Sequence, residues 1–295
     1  MIKDVDALKA FQPQHEFFVG IDSDGCAFDT MEIKHKECFI PNIIKYWDLQ
    51  AVSKYARDAA EFVNLYSKWR GINRWPALLM VFDLLADHPD VQRRKAHLPE
   101  VPTLRAWEKT ETKLGNPALK AAVDKSGDKV LARALEWSNA VNATIADMVH
   151  DVPPFPYLRE SLLALRSTAD MMVVSQTPGE ALTREWEEHD IAKYAAAICG
   201  QEMGSKAEHL KLGAGTKYAK DHVLMIGDAP GDFSAARKNG FLFFPVNPGA
   251  EDASWQCLYE EAMGKFLAGN YAGDYEAKLI KEFEALLPDK PPWKQ

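Results

Sequence analysis

Apolar residues follow two rhythms along this chain, and the two are kept apart. Short apolar runs mark one part: Phe17–Ile21 (FFVGI), Met171–Val174 (MMVV), Ala196–Cys199 (AAIC), His222–Ile226 (HVLMI) and Phe241–Val246 (FLFFPV). Runs of this length, bounded by polar residues, glycine or proline, predict strands buried on both faces. Helical patterns lie between them, at 157–167, at about 180–188, after Lys206, and at 233–238 before Asn239-Gly240. Strands alternating with helices predict a parallel sheet with helices on both faces.

The second rhythm fills residues 30–150. Phe62, Leu65, Tyr66 and Trp69 share one face of a helix predicted over 59–70. Pro76 opens another in PALLMVFDLLAD, a position that tolerates proline. Thr103 is expected to cap a helix reaching Leu114, with Gly115-Asn116-Pro117 breaking it. Val130, Leu131, Leu135, Val141, Ile145 and Met148 predict a long helix over 128–149. Asp29, with Glu32 three residues on, suits a capping box at the entry. A helical stretch this long after one strand exceeds any loop and reads as a domain. The expected plan is a core of residues 1–29 and 151–295 with a helical domain at 30–150. Asp151–Pro156 (DVPPFP) is the stiff return linker. A short helix is expected at Val5–Phe11, and the tail from Glu251 reads as helical before a fraying PDKPPWKQ.

Composition narrows the field. A length of 295 residues suits two domains, and a net charge of -8 disfavours a nucleic-acid polymer or an anionic lipid surface as partner. Cys26, Cys38, Cys199 and Cys257 form no C-x-x-C pair, which suits a reducing compartment. No run approaches membrane-spanning length, and MIKDVDALKAFQPQ lacks a signal peptide's apolar stretch. A soluble, cytoplasmic protein is expected.

Candidate chemistry gathers where strands stop. The first run ends at Asp22, with Asp24 and Gly25 following; the second ends at Ser175, beside Gln176; the fourth ends in Gly227-Asp228-Ala229-Pro230-Gly231-Asp232. Asp and Gly are also ordinary turn residues, so Asp22 to Gly25 alone equally suits a solvated turn. In a parallel sheet, however, these ends lie on one edge, where open α/β sheets bind ligands. Asp22, Asp228 and Asp232 offer hard oxygens suited to Mg²⁺. With the Lys206 ammonium added, the site attracts a phosphate dianion, whose oxygens Ser175 and nearby amides can hold. Asp22 is then placed to attack phosphorus, and Asp24 to protonate the leaving oxygen.

These motifs together resemble the haloacid dehalogenase-like (HAD) superfamily. DSDGCAFDT is similar to its first motif, VVSQT to its second, GSKAEHL to its lysine motif and IGDAPGD to its acidic fourth motif. The resemblance implies an α/β fold, with a Rossmann-like parallel sheet and an inserted all-helical cap domain of the first type. It also implies Mg²⁺ as cofactor and Asp22 as nucleophile. Asp24 would be general acid/base and a metal ligand through its backbone carbonyl. Ser175, Gln176 and Lys206 would bind phosphate, and Asp228 and Asp232 the metal. The function implied is hydrolysis of a small phosphorylated metabolite through an aspartyl-phosphate. A phosphomutase, or a phosphate-binding regulatory protein without turnover, are the alternatives. Asp24 disfavours a dehalogenase, which needs no second acid there. Cys26 stands where the family usually has Thr or Val.

Outside the motifs, Lys211 and Lys217 compete with Lys206 for the lysine role, and the Gly-Ser-Lys setting favours Lys206. No His residue forms a metal-ligand pair such as H-E-x-x-H. Trp69-Arg70-Gly71-Ile72-Asn73-Arg74-Trp75 combines cations, aromatics and a flexible glycine. Arg70 and Arg74 are candidates for contacts to a leaving group, against a plain interhelix turn with exposed Arg and buried Trp.

Overall fold

Five parallel strands form one sheet in the order β3-β2-β1-β4-β5. The computed structural model, which describes Ile2 and residues 4–294, gives β1 as Phe17–Ile21, β2 as Ala169–Val174, β3 as Ala197–Cys199, β4 as Val223–Gly227 and β5 as Leu242–Pro245. β1 is central, pairing with β2 through Phe17↔Ala169 to Ile21↔Val173 and with β4 through Phe18↔Val223 to Ile21↔Ile226. The chain winds outward from β1 in both directions, so the strand order reverses there. That reversal opens a crevice at the carboxyl ends of β1 and β4, the place where such sheets bind ligands.

Alternation along the strands divides the core. Val19, Ile21, Met171, Val173, Leu224, Ile226 and Phe244 face one layer, packed with Leu162, Trp186, Trp255 and Phe266. Phe18, Met172, Val174, Val223, Met225 and Phe243 face the other, packed with Leu210, Ala236, Ile280 and Phe283. Both faces are apolar because helices cover both, which explains the unbroken runs in the sequence. The result is a Rossmann-like α/β core.

The chain divides into two compact units: Met1–Met31 with Asp151–Leu287, and Glu32–His150 with Pro288–Gln295. The second unit is helical. Its core holds Trp47, Trp75 and Trp137, with Trp75 making edge contacts to Trp107 and Trp137 at 5.3 and 5.7 Å.

Several expected boundaries move. The helix expected over 59–70 is Ser53–Asn64. Asn64 and Ser67 turn their side chains back to the Ala60 and Val63 carbonyls, and such bonds offer the backbone an alternative to helix. Thr103 lies inside the helix Pro102–Thr110 and donates to Asp128 at 2.9 Å rather than capping. Gly115-Asn116-Pro117 starts a further helix, Asn116–Ser126, because proline is accepted in a first turn. The tail is a larger correction. Residues from Pro288 group with the helical unit rather than the sheet unit, and three of them make contacts there. Trp293 packs 4.9 Å from the His88 ring and 6.2 Å from Phe62. Lys294 pairs with Asp87 at 2.7 Å and Asp289 with Lys68 at 2.7 Å. Among the described residues, no helix is long and apolar enough to cross a membrane.

Candidate active site

The Asp22 amide still donates to the Ile226 carbonyl at 3.0 Å, continuing the β1–β4 ladder one residue past the strand. The chain then folds tightly. The Ser23 carbonyl accepts from the amides of Ala27 and Phe28 at 2.8 and 3.1 Å, and Gly25 sits at φ +73°. Only a residue without Cβ takes that backbone conformation at little cost. On the neighbouring strand, Asp228 follows Gly227, and Asp232 lies in the first turn of the helix Pro230–Asn239. A Cβ on Gly227 would stand 2.4 Å from the Asp232 side chain, so this glycine lets Asp232 reach the strand end.

Asp22, Asp228 and Asp232 are all buried, and one carboxylate oxygen from each lies within 4.8 Å of the others. Lys206, the first residue of the helix Lys206–Gly213 that follows β3 in the chain, reaches this cluster. Its Nζ is 2.8 Å from Asp22 and 2.6 Å from Asp232. Ser205 and Glu208 form a capping box that fixes the helix start. Burial raises Asp22 to about 6, opposed by Lys206 and assisted by Asp228. Asp232 is raised to about 6 for the same reasons, with Asp22 the assisting charge. Burial works against the Lys206 cation, but Asp22 and Asp232 outweigh it and hold the amine charged. Three buried carboxylates against one ammonium leave excess negative charge on hard oxygen donors. A hard divalent cation fits that set.

Asp24 is held differently. Its two carboxylate oxygens accept from Thr30 Oγ1 at 2.5 Å and Thr177 Oγ1 at 2.6 Å. Ser175 directly follows β2, with its amide donating to the Cys199 carbonyl and its hydroxyl accepting from the Thr177 amide at 3.3 Å. Gln176 Nε2 donates to the Gly204 carbonyl at 2.9 Å, which ties the β2 loop to the loop carrying Lys206. Lys217 instead donates to the Leu8 and Leu212 carbonyls, away from the carboxylates.

Two features of the site were missed from sequence. Thr30 and Thr177 hold Asp24, and the hydroxyl two positions after Ser175 was the available signal. Ser23, between the two aspartates, donates to Glu185 at 3.0 Å and accepts from Trp186 Nε1 at 3.0 Å. Nothing local in DSD announces that pairing, because it comes from a helix more than 150 residues later. Cys26 is fully buried, its thiol directed at the Ile226 carbonyl at 3.7 Å. Burial first, then Asp228 and Asp22, push that thiol well above its ordinary range, so it stays neutral.

In the helical unit, Arg70 is buried rather than exposed and donates to the Leu65 carbonyl at 3.0 Å. Arg74 opens the helix Arg74–Ala86 and donates to Ser138 and Asn142.

The sequence profile of the haloacid dehalogenase-like hydrolases matches residues 96–246, just over half of the chain. The chain belongs to the haloacid dehalogenase-like hydrolase family. The matched span carries Ser175, Lys206, Asp228 and Asp232, while Asp22 and Asp24 precede it. Solved structures similar to it include a haloacid dehalogenase-like family hydrolase from Streptococcus pneumoniae. That likeness has 14% identity and a TM-score of 0.43, covering 81% of this chain and 90% of the other. A predicted phosphoglycolate phosphatase from Haemophilus somnus is 13% identical, at a TM-score of 0.39 over 80% of this chain and 86% of its own. A HAD-superfamily hydrolase from Ehrlichia chaffeensis is 15% identical, at a TM-score of 0.36 over 79% and 89%. No curated protein matches the chain.

Proposed function

We propose that this family member is a Mg²⁺-dependent phosphatase of a small phosphorylated metabolite, acting through an aspartyl-phosphate on Asp22. The observation that carries the reading is the gathering of Asp22, Asp228, Asp232 and Lys206 at the carboxyl ends of β1 and β4. Asp22, Asp228 and Asp232 would hold the ion, with Asp24 contributing its backbone carbonyl. When bound, Mg²⁺ supplies positive charge that offsets the carboxylates and the phosphoryl oxygens.

Lys206 places a fixed ammonium beside the nucleophile, so a phosphoryl group meets attraction where carboxylates alone would repel it. Ser175 and the adjoining amides orient that group for in-line attack. A carboxylate oxygen of Asp22 forms a bond to phosphorus as the bond from phosphorus to the ester oxygen breaks. Asp24 gives its proton to the departing oxygen. Water then attacks the phosphoryl group, Asp24 takes its proton back, and Asp22 leaves as the free carboxylate. Thr30 and Thr177 keep Asp24 in a defined orientation for both transfers. The helical unit is read as the family's cap, the part that selects the substrate.

The test is Mg²⁺-dependent phosphate release from sugar phosphates, nucleotides and an aryl phosphate, comparing wild type with Asp22→Asn. Turnover that needs the metal and vanishes in the variant is expected. Equal release by both proteins would remove Asp22 as nucleophile. Transfer of the phosphoryl group between substrates instead of to water would replace the phosphatase reading with a mutase.

A further inference from the structure

The helix Gly179–Glu188 holds the turn that carries Asp22 and Asp24 at two places. Thr177, two residues before the helix, gives its hydroxyl proton to Asp24 at 2.6 Å. Further along, Leu182, Glu185 and Trp186 share one helix face, at spacings of three and four residues. Leu182 and Trp186 are buried in the layer that also holds Val19, Ile21 and Phe28. The Trp186 ring meets the Phe28 ring edge-on, with centres 6.0 Å apart. Glu185, on the same face, reaches Ser23.

Ser23 is fully buried against this layer. An alanine there would avoid the cost of burying a hydroxyl. The hydroxyl is instead satisfied on both counts, and in a forced direction. An indole N–H can only donate, so Trp186 Nε1 donates to Ser23 Oγ at 3.0 Å. The single serine proton then goes to Glu185 Oε2, also at 3.0 Å. The Ser23 carbonyl meanwhile accepts from the Cys26, Ala27 and Phe28 amides. Ser23 is thus gripped by side chain and by backbone, and its two peptide bonds lead directly to Asp22 and Asp24. Buried polar networks with every member satisfied rigidify their surroundings. One helix therefore holds Asp24 twice, at its carboxylate through Thr177 and at its backbone through Ser23.

We propose that Glu185 and Trp186 are positioning residues, acting through Ser23 to hold Asp24 in place for proton transfer to the leaving oxygen. The transfer rests on the phosphatase reading, whereas the hold on the turn does not. A misplacement of about 1 Å at a reacting group can cost about a hundredfold in rate. Thr30 and Thr177 still hold Asp24 when Ser23 is altered, so the expected loss is about tenfold.

The first arm measures kcat/KM of the full chain in Mg²⁺ for an alkyl phosphate and a nitrophenyl phosphate. An alkoxide needs the Asp24 proton to depart, whereas nitrophenolate leaves unaided. Ser23→Ala should lose about tenfold on the alkyl ester and less than about twofold on the aryl ester. Trp186→Phe, which keeps an aromatic ring and removes the donor, should show the same bias. Circular dichroism checks folding, and Ser23→Ala decides alone if Trp186→Phe does not fold. Loss of packing lowers both esters alike. An equal loss on both esters in Ser23→Ala, or no loss, overturns the proposal and leaves the phosphatase reading standing. The second arm needs no turnover and follows hydrogen exchange at the Ala27 and Phe28 amides, which bond to the Ser23 carbonyl. Ser23→Ala should speed their exchange at least about tenfold relative to the β2 amides. Unchanged exchange overturns the proposal whatever the turnover. Absence of Asp22-dependent turnover by wild type on both esters would fail the phosphatase reading, while faster exchange would still assign the hold on the turn to Ser23.

Discussion

Replacing Lys206 by Met tests the electrostatics of the carboxylate cluster most directly. The side chain keeps its length and loses its charge. Two contacts disappear, at 2.8 and 2.6 Å, both to buried carboxylates. Removing one partner of a buried ion pair costs about 3–5 kcal/mol, because the other partner is left uncompensated. That cost depends on pH. Asp22 and Asp232 stand at about 6 in the folded protein against an ordinary 3.8, with burial the main cause. The folded state therefore holds these protons more tightly than the unfolded chain. Their contribution is intact below about pH 4 and is lost as pH rises through 6, at about 1.36 kcal/mol per pKa unit, or about 3 kcal/mol for each carboxylate. Lys206 lowers both values, so in the variant they climb further and the loss extends to higher pH. At pH 8 in EDTA the variant should be less stable than wild type by about 3–5 kcal/mol, and the gap should close toward pH 5. MgCl₂ at a hundred times its Kd should return about 2.7 kcal/mol. The variant should gain at least as much as wild type, since no ammonium then opposes the ion. Urea titrations followed by tryptophan fluorescence, at both pH values with and without MgCl₂, read all four numbers. A gap that is the same at pH 5 and pH 8 and unmoved by MgCl₂ would refute the reasoning and leave Lys206 a packing residue.

Three other outcomes are expected. Thr177→Val removes the 2.6 Å bond to Asp24; kcat should fall by about three- to tenfold with KM little changed, and Thr177→Ser should restore it in steady-state assays. Asp170, at the amino end of the sheet, accepts on one oxygen from the Gln14 and His15 amides and from the Tyr218 hydroxyl, at 2.9, 3.0 and 2.7 Å. Asp170→Asn should cost about 1–3 kcal/mol in urea unfolding without changing kcat. Deleting residues 288–295 removes Trp293 and two surface ion pairs; the helical unit should lose about 1–3 kcal/mol, measured by hydrogen exchange of its amides.

The sheet was legible because each strand is buried on both faces and so appears as an apolar run, as in FFVGI and HVLMI. The gathering of Asp22 and Asp228 was legible for a related reason: parallel strands put their carboxyl ends on one edge, and position in the run is then position in space. The helical unit was harder. Its helices end where side chains such as Asn64 and Ser67 bond to the backbone, and apolar spacing does not record that competition. The Thr177 half of the Asp24 clamp and the Ser23–Trp186 bond join residues more than 150 positions apart, which no local pattern encodes. Arg70 and Arg74 look alike in the sequence, yet Arg70 turns back to the nearby Leu65 carbonyl while Arg74 reaches across to Ser138 and Asn142. The tail misled because proline-rich, charged ends commonly fray, and here Trp293 anchors one.

The return of residues from Pro288 to the helical unit has a bearing on modularity. A unit assembled from two separated stretches is not a cassette. A chimaera exchanging only residues 32–150 with a relative would leave Asp289, Trp293 and Lys294 without the surfaces around Lys68, Phe62 and Asp87 that now receive them. The transplantable object is both stretches together, and substitutions in the last residues of the chain would have to covary with the helix Ser53–Asn64.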